Sequence, residues 1–469
     1  MTDDFPAHMG PSDAVMWGIE HDPVLRSNIV AVAVLDRAPD WERLWARLEH
    51  ATRVVPRLRQ RVVTPLLRVG PPRWVVDDEF DLCFHLRRMR APDGGGLRAV
   101  LDIAEPMATE VFDEERPLWE FVLVEGLDGG RAALIQKVHH TVTDGVGGIR
   151  LLTTLVDAEP DAAAPEPAAE PPSGDGRARV VFREAVTDDL VEMARGVGRT
   201  AVSAGRAARA ALTRPVDAAA DVGRMAVSLG RLLAPAATPD SPLMLERSLK
   251  RRFACFDVPL EGLREAGHLG GGTLNDAFLA AVVEGLARYH RERGVPVSML
   301  RVTMPINVRG PGDPEGGNRF VPARFELPAD VHDPVLRTQV MGDTARRCRD
   351  EPANRFTEQL AIVFDRLPNA VTTAVFGGLL KGVDTVVTNV PGMPVPVYLA
   401  GSSVERFYAL APPSGAAVAV ALLSHVDHAC IGVTVDTAAL ADPDGLVEYL
   451  RAGFDDVLAS VDQRAAAAF

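Results

Sequence analysis

Two adjacent histidines followed closely by an Asp-Gly pair are the residues of this sequence most suited to chemistry. His139 and His140 lie near the start of the segment KVHHTVTDGVGG, residues 137–148, and Asp144 and Gly145 follow them. Neighbouring imidazoles can bind a metal ion, transfer a proton or simply pack in a core. The residues around the pair indicate which of these roles is favoured.

The segment before the histidines, RAALIQKVHH, has the composition of a β-strand. Successive side chains of a strand point to opposite faces, so Gln136, Val138 and His140 share one face and His139 points the other way. Two histidines on opposite faces cannot easily bind one metal ion, and no third ligand lies nearby in the sequence. The pattern favours one working histidine, where the strand breaks into a turn, and one packing histidine.

A neutral imidazole with a pKa of about 6.5 is a suitable general base at neutral pH. It could take a proton from an alcohol, a thiol or an amine. The chain contains no GxSxG, Walker A or GxGxxG motif, so direct transfer of an already activated acyl group fits better than a covalent acyl-enzyme. In this interpretation Asp144 braces the turn. The alternative is a pair of core histidines beside a turn.

Composition excludes several classes of protein. The 469 residues are 47% hydrophobic and 24% charged, with a net charge of −14, which argues against bulk binding of nucleic acid. The cysteines are far apart, the N-terminus has no apolar signal segment, and no run of apolar residues is long enough to span a bilayer. We expect a cytoplasmic protein whose membrane contact, at the inner membrane face or at lipid inclusions, is peripheral.

Strands and helices alternate in both halves of the chain, which indicates an α/β protein. We predict an N-terminal lobe at residues 1–156, a Pro/Ala-rich linker with an arginine-rich helical segment at 157–240, and a C-terminal lobe at 241–469. Predicted strands include SNIVAVAVLD, DLCFHLRRM, LRVTMPINV, RFVPARFELP, TVVTNVPG, AVAVALLSH and ACIGVTVDTA, and WEFVLVEGL and RAALIQKVHH are expected to form a hairpin. Predicted helices include DWERLWARLEHATRVVP, TLNDAFLAAVVEGLARYHRERG and PDGLVEYLRAGFDDVLASV.

Several segments together resemble the bacterial wax ester synthase/acyl-CoA:diacylglycerol acyltransferase family. That family belongs to the fold group of chloramphenicol acetyltransferase and the condensation domains of peptide synthetases. The resemblance rests on PSDAVMW with Asp13, on the Pro-Leu-Trp segment 117–119, on HHxxxDG at 139–145, on Asn275-Asp276, on MPINVRG with Asn307 and Arg309, on GNRF at 317–320 and on VVTNVPG at 386–392.

The resemblance implies an α/β (α+β) fold of two chloramphenicol acetyltransferase-like lobes, each a mixed sheet with helices, and an active-site channel between them. It implies that His140 is the general base and that acyl-CoA is a co-substrate, with no cofactor and no metal. Asn275 is the candidate donor to the oxyanion, and its alternative is an ordinary helix-start asparagine. Asp144 is expected to pair with Arg309.

Further residues are expected to support the site or contact substrate. His139 and Gly145 belong with Asp144 and Arg309 as structural support. The expected substrate contacts are Pro117, Trp119, Asp276 and Asn389. For Pro117 and Trp119, packing at the edge of a strand is the favoured alternative.

The leading function is transfer of a long acyl chain from acyl-CoA to an alcohol, either diacylglycerol or a fatty alcohol. The alternatives are a specialised-metabolite or condensation-type enzyme that uses a CoA or carrier-protein thioester, and a catalytically silent lipid-binding relative. The arginine-rich segment 191–235 is either a solvated helical face or a surface that docks on anionic lipid of a membrane or lipid droplet. The sequence indicates no oligomeric state.

Overall fold

The computed structural model describes residues 6–64, 71–92, 94–143, 145–163, 165, 238–307, 320–350 and 369–467. Asp144, Arg309 and the arginine-rich segment 191–235 lie outside these ranges, so what the sequence suggests for them stays a prediction. Among the described residues, no helix is both long and apolar enough to cross a membrane.

The first half alternates strands and helices. Its elements are α1 (Pro11–Ile19), β1 (Asn28–Leu35), α2 (Trp41–Val54), β2 (Gln60–Val63), β3 (Arg73–Val76), α3 (Leu82–His85), β4 (Leu86–Arg90), α4 (Leu97–Thr109), β5 (Trp119–Glu125), β6 (Ala132–His139) and α5 (Gly145–Leu155). The side chain of Asp40 accepts a hydrogen bond from the amide of Arg43 at 2.9 Å and so caps α2.

The second half is also mixed. Its elements are β7 (Arg251–Pro259), α6 (Leu260–Leu269), α7 (Leu274–Glu292), β8 (Met299–Asn307), β9 (Phe320–Pro328), α8 (Pro334–Arg349), α9 (Asn369–Leu380), β10 (Thr385–Met393), β11 (Tyr398–Leu399), β12 (Ser402–Leu410), β13 (Val418–His425), β14 (His428–Asp436) and α10 (Pro443–Ala467). The helices and strands predicted for this half are confirmed.

One sheet of the described chain has six strands in the order β11–β12–β1–β6–β5–β4. β5 and β6 form the predicted antiparallel hairpin, in which Trp119 lies opposite Val138. β1 is antiparallel to both of its neighbours, so Val30 lies between Lys137 of β6 and Leu410 of β12. Residues 398–410, which follow most of the second half, therefore complete the sheet that the first half begins.

A second six-stranded sheet has the order β7–β14–β13–β10–β8–β9. Its central strands β8, β10 and β13 run parallel, and Val386 of β10 lies opposite Thr303 of β8 and Ala419 of β13. The carboxyl ends of these three strands consequently lie at one edge. Ligands of sheets with parallel strands commonly bind beyond such an edge.

The two faces of β6 pack in different cores, as the alternation of its residues predicts. Leu134 and Val138 belong to a core that includes residues of α2 and α5. Ala133 and Ile135 belong to another core that includes residues of α4. Because both faces are covered, every residue of the strand is buried, including the polar Gln136, Lys137 and His139.

Helices α7 and α10 pack closely in the core of the second half. A Cβ on Gly285 would lie 2.6 Å from the Cα of Leu450, and one on Gly453 would overlap the carbonyl oxygen of Ala281. Glycine at these two positions lets the helix backbones approach each other. The long, almost fully buried α7 is thereby fixed, and its first turn is held beside the second sheet.

The segment DLCFHLRRM differs from its prediction. A single continuous strand was expected, but Leu82–His85 form one helical turn and only Leu86–Arg90 form a strand. The side chain of Asp81 accepts a hydrogen bond from the amide of Cys83 at 2.9 Å. This cap starts a helical turn, and a local alternation of apolar residues does not reveal it.

Candidate active site

The histidine pair lies where the first sheet ends. His139 is the last residue of β6 and is paired with Asn28 of β1. Beyond this pair, the amide of His140 donates a hydrogen bond to the carbonyl oxygen of Ser27 at 3.0 Å. The amide of Val142 then donates to the carbonyl oxygen of His139 at 2.9 Å, and the chain turns towards α5. The turn therefore begins at the position that the sequence predicts.

His139 is enclosed by aromatic side chains on the face opposite to Val138. Its ring makes edge-to-face contacts with Trp17 and Phe112, with centroid separations of 5.6 and 6.2 Å. Nδ1 lies 2.7 Å from Oγ1 of Thr141, and Nε2 lies 3.2 Å from a carboxylate oxygen of Glu20. With only 1% of the residue exposed, these contacts support the packing role predicted for His139.

Lys137 is a buried cation that the sequence interpretation overlooked. It lies on the same face of β6 as His139, and its Nζ is 4.1 Å from the centroid of the Phe112 ring and 3.6 Å from the carboxylate of Glu120. Burial lowers the pKa of the Lys137 ammonium group, and the charges of Glu120 and Glu110 oppose that shift. A lysine within a strand that is apolar over its first four residues was the available signal.

His140 is half-buried, and its Nδ1 is excluded from solvent. Helix α5 begins shortly after it, at Gly145. Leu151 and Leu152 of this helix belong to the same core as Met393 of β10 and Leu423 of β13. The turn that carries His140 is thus anchored against the carboxyl ends of two parallel strands of the second sheet.

Asn275 lies in the first turn of α7, beside the same edge of the second sheet. Its side-chain amide donates to Sδ of Met304, near the end of β8, at 3.6 Å. Thioether sulfur is a weak acceptor, so this amide keeps most of its capacity to bind an oxygen. Asn389 lies near the carboxyl end of β10, opposite Leu422, and is half-buried. Asn275, Asn389 and the helix that follows His140 are therefore gathered at one edge.

Asp276 closes the start of α7. Its carboxylate accepts hydrogen bonds from the amide and the hydroxyl of Thr273, at 2.8 and 3.0 Å, in a capping box. A guanidinium nitrogen of Arg346 lies 3.7 Å away. These contacts give buried Asp276 a structural role in positioning Asn275. Its contact with substrate stays a prediction.

Trp119 is fully buried in the Pro-Leu-Trp segment. Its indole nitrogen donates to the carbonyl oxygen of Leu58 at 2.9 Å, and its ring stacks on His85 at 4.5 Å. Nδ1 of His85 lies 2.7 Å from the carbonyl oxygen of Trp119, and burial lowers the pKa of His85 to about 4. The amide of His139 donates to the carbonyl oxygen of Leu118 at 3.0 Å. The segment containing Pro117 and Trp119 thus supports the histidine turn. This arrangement favours a packing role for the two residues over contact with substrate.

The histidines of SHVDHAC, His425 and His428, lie at a tight turn between β13 and β14. Val426 in this turn has a φ of 53°. Nε2 of His425 lies 2.9 Å from the carbonyl oxygen of Val404, whereas Nε2 of His428 lies 3.2 Å from Asp427. Within the described ranges, no group of three or more histidine, cysteine or acidic side chains is placed to hold a metal ion.

The arrangement of two sheets matches solved structures of the condensation-domain class. The first condensation domain of the calcium-dependent antibiotic synthetase aligns over 96% of this chain and 95% of its own, with a TM-score of 0.61 and 14% sequence identity. A wax ester synthase/diacylglycerol acyltransferase from Marinobacter aquaeolei VT8 aligns over 97% and 100%, with a TM-score of 0.63 and 20% identity. The chloramphenicol acetyltransferase-like fold that the sequence predicts is confirmed.

Sequence similarity then defines the family. The wax ester synthase/diacylglycerol acyltransferase catalytic domain matches residues 9–278, and the C-terminal domain of that family matches residues 316–457. A Mycobacterium tuberculosis chain, provisionally named a diacylglycerol O-acyltransferase, is 39% identical over 96% of this chain and 91% of its own. Another from that species, tgs1, is 28% identical over 92% and 90%. The chain belongs to the wax ester synthase/diacylglycerol acyltransferase family and is an acyl-CoA-dependent O-acyltransferase.

Proposed function

We propose that this enzyme transfers a long acyl chain from acyl-CoA to the free hydroxyl of diacylglycerol, forming triacylglycerol, with His140 as the general base. The observation that carries the proposal is the position of His140, fixed by Ser27 where the strand ends and anchored through α5 against the parallel strands. The names of the M. tuberculosis relatives support diacylglycerol as the acceptor.

The reaction needs one base and one oxyanion donor. His140 takes the hydroxyl proton as the acceptor oxygen attacks the thioester carbonyl, so a C–O bond forms and the carbonyl oxygen becomes an oxyanion. The intermediate then collapses, the C–S bond breaks, and His140 returns the proton to the departing CoA sulfur. No acyl-enzyme is formed, which is consistent with the lack of a nucleophile motif.

Asn275 is the proposed oxyanion donor. Its amide is held in the first turn of α7, and its sulfur partner, Met304, competes weakly for the donated hydrogen. The amide groups at the start of α7 also favour negative charge nearby. Asp144 and Arg309 are proposed to pair and to hold the histidine turn against the end of β8.

Acceptor assays test this function. Free-thiol release from palmitoyl-CoA should require an acceptor, should be faster with diolein than with hexadecanol, and should vanish in His140→Ala. His428→Ala, at the turn between β13 and β14, is the matched control and should retain the wild-type rate. Faster release with hexadecanol would instead make the enzyme a wax ester synthase. Activity that survives in His140→Ala would refute the general-base assignment.

The arginine-rich segment 191–235 is proposed to dock on anionic lipid, where acyl chains and diacylglycerol are available. Each basic residue near a charged surface contributes about 1 kcal/mol. Replacing Arg195, Arg199, Arg206 and Arg209 by glutamate should abolish sedimentation with vesicles rich in anionic lipid and should leave turnover of detergent-dispersed substrate unchanged. Unchanged sedimentation would rule out the segment as the docking surface.

A further inference from the structure

The end of α1 reaches the histidine turn through two side chains. Trp17 contacts the ring of His139 edge-to-face, and Glu20, three residues later, places a carboxylate oxygen 3.2 Å from Nε2 of His139. Residues three apart on a helix lie on one face, so both side chains approach the histidine from the same side. Trp17 is itself held by a hydrogen bond from its indole nitrogen to Thr64 at 3.0 Å.

The hydrogen bonds of His139 define its tautomer. The backbone amide of Thr141 donates to Nδ1 at 3.2 Å, and the hydroxyl of Thr141 lies 2.7 Å from the same nitrogen. Since an amide can only donate, Nδ1 carries the lone pair. The ring hydrogen of a neutral His139 is therefore on Nε2, where it faces Glu20.

The same carboxylate oxygen of Glu20 has a second partner. It accepts a hydrogen bond from the amide of Ser27 at 3.2 Å, and the carbonyl oxygen of Ser27 accepts the amide of His140 at 3.0 Å. One oxygen thus touches the His139 ring and the residue that holds the His140 backbone. Among the described residues, no lysine or arginine forms an ion pair with Glu20, whose side chain is 15% exposed.

We propose that Glu20 is a positioning residue for acyl transfer. Its carboxylate oxygen accepts the amide of Ser27 and lies 3.2 Å from Nε2 of His139, and through both contacts it fixes where the turn places the imidazole of His140. The inference rests on the proposed function, in which His140 is the base. Glu20 touches no reacting atom, so its effect should fall on the rate of the chemical step and not on binding of acyl-CoA.

Four variants of the full chain test the inference, with Asp22→Asn as the matched control. Asp22 is two residues away, and asparagine keeps the oxygen that accepts the amide of Val24. For each variant, kcat and KM for palmitoyl-CoA are obtained from thiol release with a saturating acceptor, and the midpoint of thermal unfolding is recorded. The variants are Glu20→Ala, Glu20→Asp, Glu20→Gln and Asp22→Asn.

We expect a graded loss of kcat. Glu20→Ala should lower kcat by about 10- to 100-fold with KM within about twofold, because a small displacement of a catalytic group has effects of this order. Glu20→Asp keeps the charge, but its shorter side chain moves the carboxylate oxygen away from Ser27 and His139. It should lower kcat by about fivefold or more. Glu20→Gln keeps an oxygen that can accept the amide hydrogen of Ser27 and lie beside Nε2 of His139, and it should remain within about threefold of wild type. Asp22→Asn should match wild type.

Two results would overturn the inference. One is wild-type kcat in Glu20→Asp, which decides the matter even where Glu20→Ala does not fold. The other is a loss in Glu20→Gln as large as in Glu20→Ala, because charge and not an oxygen at this position would then be what matters. Failure of the proposed function is distinguishable, since it appears as activity in His140→Ala. An inactive His140→Ala beside a fully active Glu20→Asp removes the positioning role alone.

Discussion

Gly432 of β14 packs directly against the backbone of Ala409 in β12, so that a Cβ at residue 432 would overlap the carbonyl oxygen of Ala409. β12 belongs to the first sheet and β14 to the second, and the glycine allows the two sheets to approach each other. Close by, the carboxylate of Asp257 in β7 accepts a hydrogen bond from the hydroxyl of Tyr408 at 2.7 Å and pairs with Arg406. Both contacts join the first sheet to the second.

Gly432→Ala should push the sheets apart. Overpacking of a close contact between backbones should lower the free energy of unfolding by about 1–3 kcal/mol. Urea denaturation followed by tryptophan fluorescence measures this change. Gly377→Ala in α9 is the control, because a Cβ there meets no atom closer than 3.9 Å. Equal stability of the two variants would mean that the interface between the sheets accommodates the added methyl group without loss of stability.

Asn275→Ala should slow the reaction without unfolding the protein. Loss of one oxyanion donor lowers kcat by about 100-fold in comparable sites, whereas the amide of Asn275 donates to the weakly accepting sulfur of Met304 and contributes little to stability through that contact. Steady-state thiol release and the unfolding midpoint separate the two effects. Met304→Leu removes the sulfur and should leave the rate nearly unchanged. A wild-type kcat in Asn275→Ala would make residue 275 an ordinary helix-start asparagine.

Asp276→Ala should act through stability. Removing a capping side chain lowers the free energy of unfolding by about 1 kcal/mol, and the hydrogen bonds to Thr273 are lost with it. Asp276→Asn, which keeps an accepting oxygen, should recover most of the stability. A changed KM for acceptor or acyl-CoA at an unchanged unfolding midpoint would instead support the predicted contact with substrate.

The burial of His85 should make the protein less stable in mild acid than at neutral pH. An unfolded histidine has a pKa of about 6.5, and burial lowers that of His85 to about 4. Between these values the unfolded chain binds a proton that the folded protein does not, so stability falls as the pH falls. Lowering the pH from 7 to 5 should therefore lower the free energy of unfolding by about 2 kcal/mol through this residue.

His85→Phe tests that contribution, because it keeps a ring to stack on Trp119 and cannot titrate. Urea denaturation at pH 7 and pH 5 should show a smaller loss of stability in the variant than in wild type. His290 and His425, whose pKa values are also lowered by burial, are present in both proteins and cancel in the difference. Identical losses in both proteins would exclude His85 as the titrating group.

Much of this arrangement can be predicted from short-range patterns. The alternation along β6 predicts that His139 and His140 separate at its end; the structure confirms the hairpin and the turn, and it packs His139 against Trp17. The helical turn after Asp81 was missed because a single hydrogen bond, which the amide of Cys83 donates to Asp81, starts it. Glu20 was missed for a related reason: one acidic residue at the end of a helix gives no sign of which distant amide or ring it will meet.

The pairing of β1 with β12 has a consequence for how the protein is made. β1 leaves the ribosome long before the strand that covers its free edge, which spans Ser402–Leu410. An N-terminal fragment that ends in the linker would expose the eight-residue edge of β1, a template for aggregation. We therefore expect that the halves cannot be produced separately as soluble folds, and that the first sheet is completed only after Ser402–Leu410 have been synthesised.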